Sequence, residues 1–478
     1  MHLREDMTRT VPAYIPAYIT LARALTALAC AVATVLLAAL PASAQTIRDT
    51  EIEETLEIYT TPILRAAGLD PDAVDIYIIN DPALNAFVTR GQNIFLNTGL
   101  IMEADTPNQL KGVIAHEAGH IADGRIARSD YQNRSAYGSM LAAAGLGLAA
   151  ILAGESGAGA AILAGAPQFG AIETLSHTRV GESVADQYAA TYLERTGQSG
   201  QGLIEFFDKF RYQEMMSQGR RYPYFRSHPL SSDRIDKLRE RVAESPHRYA
   251  EEPDGDTERM IMMKAKLEGF LDAPQTVFSR YPAEDESDEA RYARSVAYFR
   301  TAQLDHALRE VDALIAKEPD NPYYHELKAQ FLFESGRGDD SIAPIERAIE
   351  LKPDAPLFKM ALAQALLSRA RDGDAARAQE MLSRSLQMER DSAAAWYYLS
   401  LAHAAQGNTA LAEYAVAEQA FTMGDYLRAQ QFAERAKEDL PRNEPSWRRA
   451  ADIVAVAEVQ LSKKKGQRRR PKPFTVVP

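Results

Sequence analysis

The sequence predicts an α+β chain, mostly helical, in two parts. A domain with a small sheet beside a helix bearing paired histidines comes first, and an α-solenoid follows. Three observations carry this expectation. His116 and His120 stand four apart in the apolar-led run LKGVIAHEAGHI that begins at Leu110. Segments rich in β-branched and aromatic residues, 73–80, 85–88 and 94–100, precede that run. Beyond residue 289, Pro319 and Pro353 lie 34 residues apart in Lys/Glu/Asp-flanked breaks, with helix-length segments between the breaks.

The chain has 478 residues, more than one core usually holds, so two or more domains are expected. Its 46% hydrophobic and 25% charged content is that of a folded protein. A net charge of −12 argues against nucleic acid as a general partner. Residues 1–44 read as a signal peptide. Arg4, Arg9 and Arg23 precede an apolar run at 24–40, and Pro41-Ala-Ser-Ala44 offers small residues where a signal peptidase cuts. Cleavage after Ala44 would leave Gln45 first and would remove Cys30, the one cysteine. The mature chain would then have neither disulfide nor cysteine chemistry. An uncleaved anchor is the competing reading, because the apolar run only touches the lower limit for a membrane span. A cleaved leader of this type points to the periplasm.

The chemistry begins at His116-Glu117-Ala118-Gly119-His120. Helical positions four apart share a face, so both imidazoles can reach one metal ion. Glu117 is next along the helix, where its carboxylate can act as a general base. Val113, Ile114, Ala115 and Ala118 make this a largely buried helix, and buried histidines need partners. Two histidines leave a catalytic zinc site short of a third protein ligand. Glu182 is the candidate, in a helical segment whose Asp186, one turn on, could hydrogen-bond the far nitrogen of a ligand histidine. On spacing alone, an ordinary amphipathic helix with exposed acids is an equal reading.

HEAGH followed by Glu182-Ser-Val-Ala-Asp186 resembles the gluzincin metallopeptidases of the HtpX and CaaX-prenyl-protease type, which use HExxH with a glutamate in an ExxxD motif. Asn85-Ala-Phe-Val and Ile94 to Leu100, around a turn at Arg90-Gly-Gln, look like that family's strand pair. Leu175-Ser-His-Thr-Arg179 sits where the family carries an SYSR-like run, and His228-Pro229 with Arg234 resembles its HPxxxxR segment. The resemblance covers residues 46–241 and implies one zinc per chain, held by His116, His120 and Glu182, with Glu117 catalytic. One departure is Arg125, where relatives often have a further histidine.

Two features near the site stay open. Residues 138–170 are Gly/Ala-rich and read as a helical hairpin, either a lid or membrane-touching element or a packed core pair. His228 could cap the zinc as a fourth ligand that must move away, the favoured reading, or could polarise the substrate carbonyl. His177, His247, His306, His325 and His403 lack such a setting. Residues 85–89 are the candidate sheet edge for a substrate backbone.

An acidic, turn-rich stretch at 251–258 ends the metallopeptidase domain (45–250), and 251–288 reads as a linker with a connecting helix. From 289 to 462 the expected helices run in pairs: 290–299 with 304–315, 322–334 with 340–351, 356–369 with 375–388, and 393–405 with 409–421, then capping helices at 426–440 and 444–461. A 34-residue period ending in proline resembles the tetratricopeptide repeat, whose concave face binds proteins. The basic run 463–478 is expected to be a disordered tail, with contact to an anionic surface as the second reading.

A peptidase followed by such repeats behind an export signal is similar to the BepA-type periplasmic peptidases. That resemblance implies a zinc metalloendopeptidase acting on unfolded or misassembled outer-membrane proteins. It also implies docking to the outer-membrane assembly machinery through the repeats and accompanying chaperone activity, while peripheral membrane contact is the expectation attached to the Gly/Ala-rich segment and the basic tail. The alternatives are a non-catalytic periplasmic chaperone or scaffold with a latched or structural zinc, and a membrane-embedded peptidase. The absence of a strongly apolar run after residue 44 disfavours the last.

Overall fold

The computed structural model describes residues 46–89, 92–124, 179–211, 222, 224–225 and 228–468. The signal-peptide expectation, Cys30, Arg125, the Gly/Ala-rich 138–170 segment, His177 and Ser227 lie outside the described residues.

The first part is a four-stranded sheet backed by helices. Strands β1 (Thr46–Ile47), β2 (Ile76–Ile79), β3 (Ala86–Thr89) and β4 (Asn93–Asn97) stand in the order β1-β2-β4-β3. β2 and β4 are parallel, with Ile76 opposite Ile94, while β1 and β3 join them antiparallel. The expected strand pair is therefore present as β3 and β4, and β3 is a sheet edge among the described residues. Extended structure stops sooner than expected, because Thr98 to Leu100 open a short helix, α2 (Thr98–Glu103). Gly99 permits that turn: a Cβ there would lie 2.1 Å from the Pro82 carbonyl oxygen. Residues 71–73, ahead of β2, form a 3-10 turn started by Pro71 rather than the beginning of the strand.

Helix α1 (Thr50–Ala66) starts at Asp49, whose carboxylate accepts from the Glu51 and Ile52 amides, and it ends on Arg65, complementing the helix dipole. Helix α3 (Pro107–Ala122) carries HEAGH. Thr106 caps it by accepting from the Gln109 amide, and Pro107 occupies a first-turn position where no amide proton is needed. Helices α4 (residues 179–195), α5 (Gln201–Phe210) and α6 (Ser232–Ala243) complete this part. Ile78, Leu96, Val113, Ile114, Leu193, Phe206 and Leu238 share one buried core.

Helix α7 (Asp256–Leu271) is more than a connector. Its Met260, Met263 and Leu267, at helical spacing, enter the first core, while Met262 and Ala265 enter the next one with Tyr292 and Leu327. The segment expected to be a linker is thus a wall common to two cores. At one end Lys111 of α3, buried, meets Asp256 Oδ2 at 2.5 Å and Glu252 Oε2 at 3.0 Å. At the other, Lys266 meets Asp49 Oδ2 at 2.6 Å and Glu51 Oε2 at 3.2 Å.

After α8 (Pro274–Arg280), paired helices follow: α9 (Asp288–Arg300) and α10 (Leu304–Lys317), α11 (Pro322–Glu334) and α12 (Gly338–Leu351), α13 (Pro356–Arg369) and α14 (Asp374–Met388), α15 (Ala393–Ala405) and α16 (Thr409–Thr422), α17 (Tyr426–Asp439) and α18 (Pro445–Arg468). Each starts within about two residues of its expected position, with Pro322 and Pro356 opening their helices. One expectation is corrected. Helix α18 continues through Lys463 to Arg468, the first part of the presumed disordered tail. Lys, Gln and Arg are good helix formers, and cations suit a helix C-terminus.

The repeats also grip the first part. Tyr292 and Tyr323 donate to Glu51 and Glu54, Lys352 meets Glu54 at 2.9 Å, and Arg48 bridges Glu53 and Glu389 at 2.7 and 2.5 Å. Among the described residues no helix is long and apolar enough to cross a membrane.

Candidate metal centre and peptidase site

Three segments meet at the centre of the first part. Helix α3 supplies His116, Glu117 and His120, α4 supplies Glu182 and Asp186, and the stretch before α6 supplies His228. Gly119 lets α3 and α4 come this close, since a Cβ there would sit 3.1 Å from the Ala185 carbonyl oxygen and 3.2 Å from its Cα. The approach puts Glu182, 66 positions from His116 in the chain, against both α3 histidines.

The four donors form a tight cluster. His116 Nε2 lies 3.1 Å from His120 Nε2, 3.2 Å from Glu182 Oε2 and 3.3 Å from His228 Nδ1. His228 Nδ1 lies 3.2 Å from His120 Nε2 and 3.0 Å from Glu182 Oε2, and His120 Nε2 is 3.5 Å from Glu182 Oε1. All four residues are buried. Tetrahedral zinc with bonds of about 2.0 Å separates its ligand atoms by about 3.3 Å, so this donor set fits that ion in spacing and in chemistry.

The surroundings orient these donors. Asp186 Oδ1 lies 2.9 Å from His116 Nδ1, leaving Nε2 to face the cluster. Arg234 donates to both Asp186 oxygens at 2.8 Å and to the Pro229 carbonyl at 2.8 Å. Burial raises the Asp186 carboxyl, but Arg234 and His116 outweigh it and hold the group below its ordinary range. Tyr224 stacks on the His228 ring at 4.7 Å between centroids, and its carbonyl accepts from the His228 amide at 2.8 Å.

Glu117 stands apart. It is fully buried, and neither carboxylate oxygen has a hydrogen-bond partner among the described residues, while His228 Nε2 is 3.5 Å from Oε1. Burial pushes its carboxyl up, against the pull of His228 and His116. A carboxylate held this way is ready to take a proton.

The structure brings together every site residue expected from the sequence. His116, His120, Glu182 and His228 form the cluster, Glu117 adjoins it, and Asp186 lies behind His116 against its Nδ1. Arg234 as the clamp on Asp186, and Tyr224 as the support of His228, escaped sequence reasoning. The HPxxxxR resemblance flagged Arg234 but not its partner, and nothing local marks Tyr224. His247, His306, His325 and His403 lie outside the cluster.

Residues 47–242 match Peptidase family M48, and residues 292–356 and 362–427 match the tetratricopeptide repeat. The chain therefore carries an M48 peptidase domain followed by tetratricopeptide repeats. It is 26% identical over 261 residues to the beta-barrel assembly-enhancing protease of Escherichia coli K12, covering 52% of each chain. A Vibrio cholerae O1 protein provisionally given that name is 30% identical over 260 residues, again covering 52% of each. The Escherichia coli metalloprotease LoiP is 28% identical over 183 residues, 35% of this chain and 62% of that one. The chain thus spans about half the length of the first two relatives.

If Glu182 is a ligand, Glu182→Ala should lower zinc affinity by about 10- to 100-fold, because it removes the one anionic donor and leaves the three imidazoles of His116, His120 and His228. Metal analysis after dialysis against a weak chelator reads this directly. Full zinc retention by the variant would remove Glu182 from the ligand set.

Proposed function

We propose that the chain is an exported zinc metalloendopeptidase that cuts unfolded or misassembled envelope proteins, with its repeats docking it to outer-membrane assembly complexes. His116, His120 and Glu182 are the ligands in this reading, and His228 is a fourth donor that must leave for substrate to enter. The observation that carries it is Glu117, a buried carboxylate beside the donor cluster with no hydrogen-bond partner among the described residues. An idle buried charge is costly, and a purely structural site would gain nothing from it.

When bound, zinc would supply Lewis acidity to a peptide carbonyl and make water a better nucleophile. Glu117 takes the proton from attacking water and returns it to the leaving amine. Asp186, held ionised by Arg234, fixes the His116 tautomer. The edge of β3, packed beside α3, would hold the substrate backbone as an added strand. Export with cleavage after Ala44 places this activity in the periplasm. Hydrolysis of an unfolded protein by the mature chain, abolished by chelator and restored by zinc, tests the reading. No hydrolysis under any metal condition would refute it.

A second reading is favoured by the closed four-donor set: a chaperone or scaffold whose zinc is structural. His228→Ala separates the two, as argued below.

The docking role has a surface to act through. The inner face of the first repeats already packs on α1, but Tyr397 and Leu401 of α15, one helical turn apart, are exposed. Replacing both with Ser should reduce co-purification with assembly complexes by about tenfold, the scale of losing two exposed apolar anchors. Unchanged melting and peptide hydrolysis would show that the fold is intact. Undiminished recruitment would rule this surface out.

A further inference from the structure

The inner face of the repeats does not close completely on the peptidase domain. Between them lies a cavity of about 560 Å3, a size that holds a few residues of a peptide. We propose that this cavity captures an extended apolar segment of a client polypeptide bearing a basic side chain, on the sheet edge opposite the one beside the metal cluster. Capture as a prelude to cutting rests on the peptidase reading, but binding itself does not.

Three features support this occupant. One wall is apolar, formed by Leu267 and Phe270 of α7, Phe333 of α11, Ile345 of α12, and Met360 and Ala361 of α13, while polar and charged side chains make up much of the rest. Residues 46–49 form another wall, and β1 pairs with β2 on one side only, with no strand on its other side among the described residues. A client strand can therefore add its backbone there while alternate side chains enter the apolar wall. The third feature is charge. Arg48 is engaged by Glu53 and Glu389, and Asp49 by Lys266. One lining carboxylate, Glu334, accepts from the Gln330 amide and meets no cation among the described residues. Glu326, 3.9 Å from Lys266, has its carboxyl pushed up to about 7 by burial, and a second cation in the cavity would favour its ionised form. An apolar strand with one Lys or Arg suits this lining better than an acidic or neutral one.

The topology gives such capture a use. β1 and β3 are the two edges of one four-stranded sheet, three strand spacings apart, or about 14 Å. About five extended residues cover that distance, before any detour over the sheet face. A client held at β1 would thus keep its neighbouring sequence close to the edge beside the HEAGH helix.

The test uses the full mature chain carrying Glu117→Gln, so that binding is read without turnover. The probe is a fluorescent decapeptide alternating Val or Phe with Ser, with one central Lys. Fluorescence anisotropy should report saturable binding, and Ala361→Trp, which fills the cavity, should weaken it by at least about tenfold, or 1.4 kcal/mol. Exchanging the probe's Lys for Glu should weaken binding by a similar factor. Should Ala361→Trp lower the melting temperature, a photo-crosslinking residue at Gln364 gives a second measure. The probe should label it and be chased by unlabelled peptide. Unchanged affinity in a folded Ala361→Trp chain overturns the proposal, as does labelling at Val88 on β3 but not at Gln364. Hydrolysis of an unfolded protein by the wild-type chain is scored separately, so either reading can fail alone.

Discussion

Glu117→Gln is expected to reduce peptide hydrolysis by about 1,000-fold, within the range for removing a general acid–base group, while zinc stays bound. The amide has the size of the carboxylate but cannot accept a proton. Because neither Glu117 oxygen is hydrogen-bonded among the described residues and the side chain is fully buried, the substitution also removes a costly buried acid. The variant should therefore melt no lower than the wild type, which separates loss of chemistry from loss of fold. Hydrolysis of an unfolded protein, metal content and thermal melting should be measured together. Proteolysis at the wild-type rate would remove Glu117 from the mechanism.

His228→Ala should act in the opposite direction. His228 Nδ1 stands within 3.0–3.3 Å of donors on His116, His120 and Glu182, and in the proposed reading it occupies the position a substrate needs. If only about 1–10% of molecules have His228 withdrawn, removing the imidazole should raise turnover by about 10- to 100-fold, since activity scales with the competent fraction. Self-cleavage should rise as well. Three ligands would still hold zinc, so metal content should fall little. A clear drop in kcat with zinc retained would instead make His228 a group that stabilises the transition state. Loss of zinc together with loss of fold would support the structural-site reading.

The local parts of this protein are legible in its sequence. The spacing of His116 and His120 places both imidazoles on one face of any helix. Pro322 and Pro356 recur at helix starts 34 residues apart. Both signals depend on neighbours within one or two turns, where backbone geometry converts spacing into position. The irregular ends of elements were less clear. Thr98 to Leu100 look extended but become helical, because Gly99 tucks against Pro82.

What only the tertiary structure decided is which distant segments meet. Nothing in the spacing of Glu182 shows that Gly119 lets its helix reach α3, or that Arg234 would hold Asp186 ionised behind His116. Helical periodicity predicts the concave face of the repeats, but not that Tyr292 and Tyr323 would engage Glu51 and Glu54 and cover part of it. The heptad-like spacing of Met260, Met263 and Leu267 predicts a buried face for α7, and only the fold shows its Met262 and Ala265 serving a second core. The physical reason is common to all these cases. Chain geometry fixes a side chain's direction within its own element, whereas contacts between elements depend on how whole surfaces pack.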